Sequence, residues 1–99
     1  MKNLFLVSRS PFLRNEARLD VRLAEEGDAV CCIQDGVYGA YKIPDGLQKE
    51  LESAQTRGVK FFALKEDLLA RGLSPSNLFI AIDYDRLIEL ILNYKRIIS

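Results

Sequence analysis

"VKFFALKEDLLARG", Val59 to Gly72, is the stretch that decides the architecture of this chain. Its first half, Val59 to Leu64, is a short, mostly apolar run, which predicts a buried strand. Its second half predicts a short helix over Glu66 to Arg71, closed by Gly72 in the place of a left-handed cap. A strand that is apolar on both faces needs cover on both. A helix that follows it at once is half of a strand–helix–strand unit in a parallel sheet.

The same alternation continues in both directions. Upstream, Asn3 to Val7 reads as a first strand. Ser10-Pro11 then suits a helix start, and a helix beginning between Pro11 and Asn15 would put Leu13, Ala17, Val21 and Ala24 on one apolar face before Gly27 ends it. Ala29 to Ile33 is the second strand. Asp35-Gly36 closes it, and Asp35 is placed to cap a helical turn over Val37 to Tyr41. Pro44 breaks that turn, and Asp45 opens the next helix with Gln48 three residues on, as in a capping box. Leu47, Leu51 and Ala54 give this helix its buried face and Gly58 ends it. Downstream, Leu78 to Ile82 is the fourth strand. Asp83 caps a last helix whose apolar face is formed by Tyr84, Leu87, Ile88 and Ile91, with Lys95 and Arg96 at the negative end of its dipole. The tail "RIIS" either continues that helix or adds an edge strand. With right-handed crossovers, the result is an α/β protein: one domain over residues 1–99, a three-layer α/β/α sandwich around a mostly parallel sheet of four or five strands.

Composition narrows the function. The chain has 99 residues, 48% of them hydrophobic and 28% charged, which is an ordinary globular balance with room for one core and no large insertions. Lys+Arg and Asp+Glu are 14 each, for a formal net charge of zero. A nucleic-acid binder needs a basic excess, so no direct nucleic-acid binding is expected, while neutrality permits self-association. There is no histidine, which removes the usual general base near neutral pH and the commonest metal ligand. Two cysteines alone do not make a four-ligand zinc site, so no metal and no cofactor are expected. "LFLV" near the N-terminus is too short for a signal-peptide core and no apolar run approaches a membrane span. The expected location is cytoplasmic, without a membrane.

Ligands of such sheets bind beyond the carboxyl ends of the strands. That edge carries Ser8 to Phe12, Gln34 to Tyr38, Lys65 to Asp67 and Asp83 to Asp85. Its carboxylates, Asp35, Glu66, Asp67, Asp83 and Asp85, stand largely where helix caps are wanted. "QDGVYGA", Gln34 to Ala40, has two glycines at the wrong spacing for a dinucleotide fingerprint. Cys31 and Cys32 alternate faces in a strand, each under a helix layer, where burial makes a thiol inert. Arg71 is placed to satisfy late helix carbonyls.

Together, "RSPF" at Arg9 to Phe12, "EEGDAV" at Glu25 to Val30, "QDGVYGA", "ALKEDLLARGL" at Ala63 to Leu73 and "IDYDRLIEL" at Ile82 to Leu90 resemble, in order and over nearly the whole chain, the DsrH/TusB family of sulfur-relay proteins. The resemblance implies the DsrE/F/H fold and hexameric assembly with DsrE-like and DsrF-like (TusD-like and TusC-like) subunits. It also implies a part in carrying persulfide sulfur, toward 2-thiolation of the tRNA wobble uridine or toward sulfur oxidation. Two family positions that carry sulfur are occupied differently here. The first-helix cysteine of some DsrH members corresponds to Asp20. The DsrE-like cysteine after the third strand falls in Leu64 to Asp67, which holds none. The expectation is therefore a non-catalytic subunit that meets its partners through Gln34, Asp35, Gly36, Val37, Tyr38, Lys65, Glu66 and Asp67. The alternatives are a sulfurtransferase that uses Cys31 or Cys32 as its persulfide carrier, or a stand-alone homo-oligomer of the same fold in intracellular sulfur oxidation.

Overall fold

The computed structural model describes residues 2–8, 24–43 and 46–98. The strand–helix pair read in Val59 to Gly72 is present without a linking residue: β3, Lys60–Leu64, runs directly into a helix over Lys65–Ala70. Gly72, at φ +67°, takes the left-handed conformation after that helix, and the amides of Arg71, Gly72 and Leu73 turn back onto Leu68 and Leu69. Around this pair lie β1 (Asn3–Val7), β2 (Ala29–Cys32), a 3-10 turn over Gln34–Gly36, α1 (Val37–Tyr41), α2 (Gln48–Thr56), α3 (the Lys65–Ala70 helix), β4 (Ile80–Ile82), α4 (Tyr84–Asn93) and β5 (Arg96–Ile98). The helix expected between Pro11 and Gly27 lies outside the described residues apart from its last few positions, and Asp20 and all of "RSPF" lie outside them too.

All four strand pairings are parallel, in the order β4-β3-β2-β1-β5. That order distributes the helices. The connections from β2 to β3 and from β3 to β4 step the same way across the sheet, so right-handed crossovers put α1, α2 and α3 on one face. The return from β4 at one edge to β5 at the other carries α4 across the opposite face. The core divides accordingly. Phe5, Val30, Cys32, Phe61 and Ala63 pack with Val37, Ala40, Leu51, Ala54 and Leu68 on the first face. Leu4, Ala29, Cys31, Phe62 and Leu64 pack with Leu87 and Leu90 on the second. Residues adjacent in β2 and β3 thus go to opposite layers, as strand alternation requires.

Several expectations need correction. The fourth strand is Ile80–Ile82 rather than Leu78–Ile82. Phe79 is buried before the strand begins, its ring edge-on to Phe61 at 5.4 Å and 62°, so the apolar start of "LFIAI" fills the core from a turn. The tail forms edge strand β5 beside β1. α2 begins at Gln48 with no side-chain cap, so Gln48 does not hold the third position a capping box needs, and Asp45 lies outside the described residues. Asp35 does not cap α1, which has no side-chain cap. In α4 only Leu87 of the expected apolar face is buried, with Leu90 as its unforeseen companion, whereas Tyr84, Ile88 and Ile91 are exposed. Asp83 caps α4 as expected, accepting from the Arg86 amide at 2.9 Å.

Candidate functional site

The carboxyl ends of β2, β3 and β4 bring together three of the four expected edge segments, and Lys65-Glu66-Asp67 joins them. Asp67 reaches toward β2: its Oδ2 accepts from the Gln34 backbone amide at 2.6 Å. Glu66 reaches the other way: its Oε2 accepts from the Tyr84 amide, the first of α4, at 3.4 Å, while its Oε1 is buried without a hydrogen-bond partner. Adjacent helical residues point about 100° apart, which is why two neighbouring acids serve loops on opposite sides.

Arg71, one turn after Asp67, completes the link. Its guanidinium donates to Asp35 Oδ1 through Nη2 at 3.0 Å and Nε at 3.3 Å. It also donates to the Asp67 carbonyl at 3.2 Å, and Nη1 lies 3.6 Å from Asp67 Oδ1. Asp67 is mostly covered, at 17% side-chain exposure, and Asp35 is open, at 65%. The planar guanidinium binds two groups at once because its donors form a rigid fork.

The loop held by this cluster is fixed from below as well. The Ile33 amide donates to the Val7 carbonyl at 2.9 Å, and the Gly36 amide to the Ile33 carbonyl at 2.9 Å. A Cβ on Gly36 would stand 1.9 Å from the Val7 oxygen, so only glycine fits against the end of β1. Gln34 sits at φ +50°, a conformation most side chains avoid, and the bond to Asp67 holds it there. Val37 is buried in the core, whereas Tyr38 and Lys65 project outward.

Both thiols lie beneath this edge, free and buried. Burial, and secondarily the charge of Asp67, pushes the Cys31 thiol up to about 12. Burial, and secondarily Cys31, pushes Cys32 well above the ordinary thiol range. Thiolate is the nucleophile, and both groups are held as thiols at neutral pH. Among the described residues no group of three or more His, Cys, Asp or Glu side chains is arranged to hold a metal ion, and no helix is long and apolar enough to cross a membrane.

The expected contact residues therefore gather into one surface: Gln34, Asp35, Tyr38, Lys65, Glu66 and Asp67, with Gly36 and Val37 as its footing. Two members were not foreseen in these roles. The Asp67–Arg71 spacing of four signals a helical ion pair, but the reach of Arg71 to Asp35 depends on the β2–β3 register. Glu66 meets α4 only because β4 lies beside β3. A further carboxylate, Asp28 at the opposite edge, is buried and accepts from the amides of Asn3 (2.8 Å) and Glu25 (2.9 Å). Its signal is an acid directly before an apolar strand.

Comparison with known proteins agrees with this architecture. The family model "DsrH like protein" matches residues 9–97. Protein TusB of Escherichia coli O81 (strain ED1a) is 42% identical over 94 residues, covering 93% of this chain and 94% of that protein. Among solved structures, the ychN protein from E. coli superposes with a TM-score of 0.73 at 16% identity, over 99% of this chain and 98% of that one. Protein Tm0979 from Thermotoga maritima superposes with a TM-score of 0.64 at 29% identity, over 91% of each. On the family match and the extent of that identity, this chain belongs to the DsrH-like family.

Proposed function

We propose that this protein is a non-catalytic subunit of a cytoplasmic sulfur-relay complex serving 2-thiolation of the tRNA wobble uridine. In this reading it presents Gln34 to Tyr38 and Lys65 to Asp67 as a fixed surface against DsrE-like and DsrF-like partners. The observation that carries it is the Asp67 clamp. At the edge where such a sheet does its chemistry, the segment after β3 holds two carboxylates engaged with backbone amides. Such a site organises loops and accepts no sulfur itself. Family membership, with 42% identity to a Protein TusB, supports the sulfur-relay role. The buried, protonated state of Cys31 and Cys32 supports a supporting role over a carrier role.

The test is affinity purification from the native host, followed by sulfur loading of the recovered complex with a cysteine desulfurase. A DsrE-like protein should co-purify, and intact-mass measurement should place the added sulfur on it. Recovery of this chain alone would overturn the subunit reading. A gain of one sulfur on Cys31 or Cys32 would overturn the non-catalytic one.

A further inference from the structure

The zero net charge of the chain conceals a separation between the two ends of the sheet. The carboxyl ends of the strands carry Asp35, Glu66, Asp67, Asp83 and Asp85. The amino ends carry cations. Lys2 precedes β1, Lys60 opens β3, and Lys95 and Arg96 stand at the start of β5, all of them exposed. None of these four forms an ion pair, whereas Arg71 and Arg86 at the acidic end both do. The end of α4 does not take up Lys95 and Arg96 either: its last turn holds no basic residue, and the Lys95 amide donates to the Lys2 carbonyl at 3.2 Å, extending the pairing of β5 with β1. The exposed acids near this end are Glu25 and Glu26. Asp28 is buried there, with both oxygens engaged by backbone amides.

Strand register sets three of these cations in a row. Lys60 is in register with Ala29, a core residue of the α4 face. Lys2 and Lys95 stand two residues before Leu4 and Ile97, which are in register with each other on that same face, so alternation turns both to the α4 side. Lys2 lies over Gly27, where a Cβ would meet its Cγ at 3.4 Å and its Cε at 3.5 Å, and so spans the step from β1 to β2. Three strand spacings of about 4.8 Å separate β5 from β3, and the row covers about 14 Å. Arg96 stands beside it at the sheet edge. An aromatic ring accompanies the row: Tyr94, half-buried, packs against the α4-face core directly before Lys95. Burial, and secondarily the charge of Asp28, pushes its phenol up, against a smaller pull from Arg86. Open cations in a row fit a chain of phosphates. A ring among them fits a nucleic acid better than an acidic peptide, because unpaired bases stack on aromatic faces. We propose that the amino end of the sheet, on its α4 side, is a surface for single-stranded RNA, with Lys2, Lys60, Lys95 and Arg96 on the phosphates and Tyr94 against a base. The choice of RNA as the polyanion rests on the tRNA reading above; the cationic row does not. The surface lies at the end of the sheet opposite the Asp67 clamp.

The test is fluorescence anisotropy of the full chain against a labelled unmodified tRNA transcript, inorganic polyphosphate and polyglutamate, over a series of salt concentrations. Variants are used only where they keep the wild-type circular dichroism spectrum. The transcript should bind at low salt, and the logarithm of its binding constant should fall against that of salt with a slope of about −2 to −3, as three or four phosphate contacts require. Lys60→Glu, Lys95→Glu and Arg96→Glu should each weaken binding by about threefold or more and flatten the slope. Lys42→Glu makes the same change of charge beyond α1, and should leave binding unchanged. Tyr94→Leu should weaken binding of the transcript and leave polyphosphate binding and the salt slope as they are. No binding of the transcript at low salt, or equal losses from Lys42→Glu and Lys60→Glu, would overturn the proposal. Tighter binding of polyglutamate than of the transcript would overturn RNA as the occupant and assign the surface to an acidic protein. These results are separate from the co-purification experiment: loss of the subunit reading leaves the measured binding in place, and absence of binding leaves the co-purified partner in place.

Discussion

The Asp67 carboxylate and the Gln34 amide, 33 positions apart, meet at 2.6 Å. The bond does two things: it satisfies an amide at a turn and it holds Gln34 at φ +50°, where a side chain ordinarily costs energy. Asp67→Ala should remove both, together with the charge facing Arg71. A loss of about 1.5 kcal/mol is expected, the net worth of a hydrogen bond to a charged acceptor where water can reach the donor. Asp67→Asn keeps an acceptor oxygen and should lose less. Urea denaturation of the two variants checks the order, and equal losses would show that the amide bond contributes little.

Gly36 makes a sharper prediction. The obstacles to a Cβ there are the Val7 carbonyl at 1.9 Å and 2.8 Å and the Ser8 amide at 3.4 Å, all backbone. None is the yielding end of a flexible side chain, so Gly36→Ala must displace β1 or the loop. Overpacking of this kind costs about 1–3 kcal/mol or more, and here the upper end is expected. Thermal unfolding should show a large drop in midpoint. An unchanged midpoint would mean that the loop has room to move and is not the fixed surface argued above.

The buried thiols predict a dependence of stability on pH. Cys31 is held up to about 12 against an ordinary value of 9.0, and Cys32 shifts the same way. Between these limits the unfolded chain has lost a thiol proton that the folded chain keeps. Stability should therefore be fully present below pH 9 and decline as pH rises toward 12, with a limiting slope of about 1.4 kcal/mol per pH unit for each thiol. Urea midpoints across this range should fall more steeply for the wild type than for the Cys31→Ala/Cys32→Ala variant. Parallel curves would mean that both thiols reach solvent without unfolding. The native protein should also react slowly with a thiol reagent at neutral pH and rapidly in denaturant.

How far these features are legible in the sequence differs by kind. The alternation of strand and helix, the opposite facing of Cys31 and Cys32 and the cap at Asp83 follow from local patterns, because each depends on residues within one turn or one strand. Strand order does not, and whatever rests on it was hidden. Tyr84, Ile88 and Ile91 form as good an apolar stripe as Leu87 and Leu90. Periodicity marks both and cannot say which meets the sheet. The return of the chain from β4 to β5 fixes which face of the sheet α4 covers, and the packing turns Leu87 and Leu90 onto it. Asp35 is likewise a plausible cap from its position, yet Arg71, brought alongside by the β2–β3 pairing, offers a cation at 3.0 Å. The ion pair displaces the local bond. Asp28 is only half legible: Glu25 meets it within one local turn, but Asn3 becomes its neighbour only when β1 and β2 align.

Arg71 separates stability from assembly. Its pair with Asp35 is solvent-exposed on the carboxylate side, and such pairs contribute at most about 1 kcal/mol. Arg71→Lys keeps the charge but loses the fork that engages Asp35 and the Asp67 carbonyl together. The expected outcome is a small change in the unfolding midpoint for both Arg71→Lys and Arg71→Ala, with a clear weakening of association with a DsrE-like partner in each. The loop from Gln34 to Tyr38, no longer tethered at Asp35, would have to be ordered when the partner binds, and ordering a few residues opposes association. Isothermal titration of each variant against the partner gives the measurement: a more unfavourable entropy of binding is the signature of a loosened loop. If Arg71→Lys binds as the wild type does, the guanidinium bridge is a feature of the fold alone, and the contact surface does not depend on it.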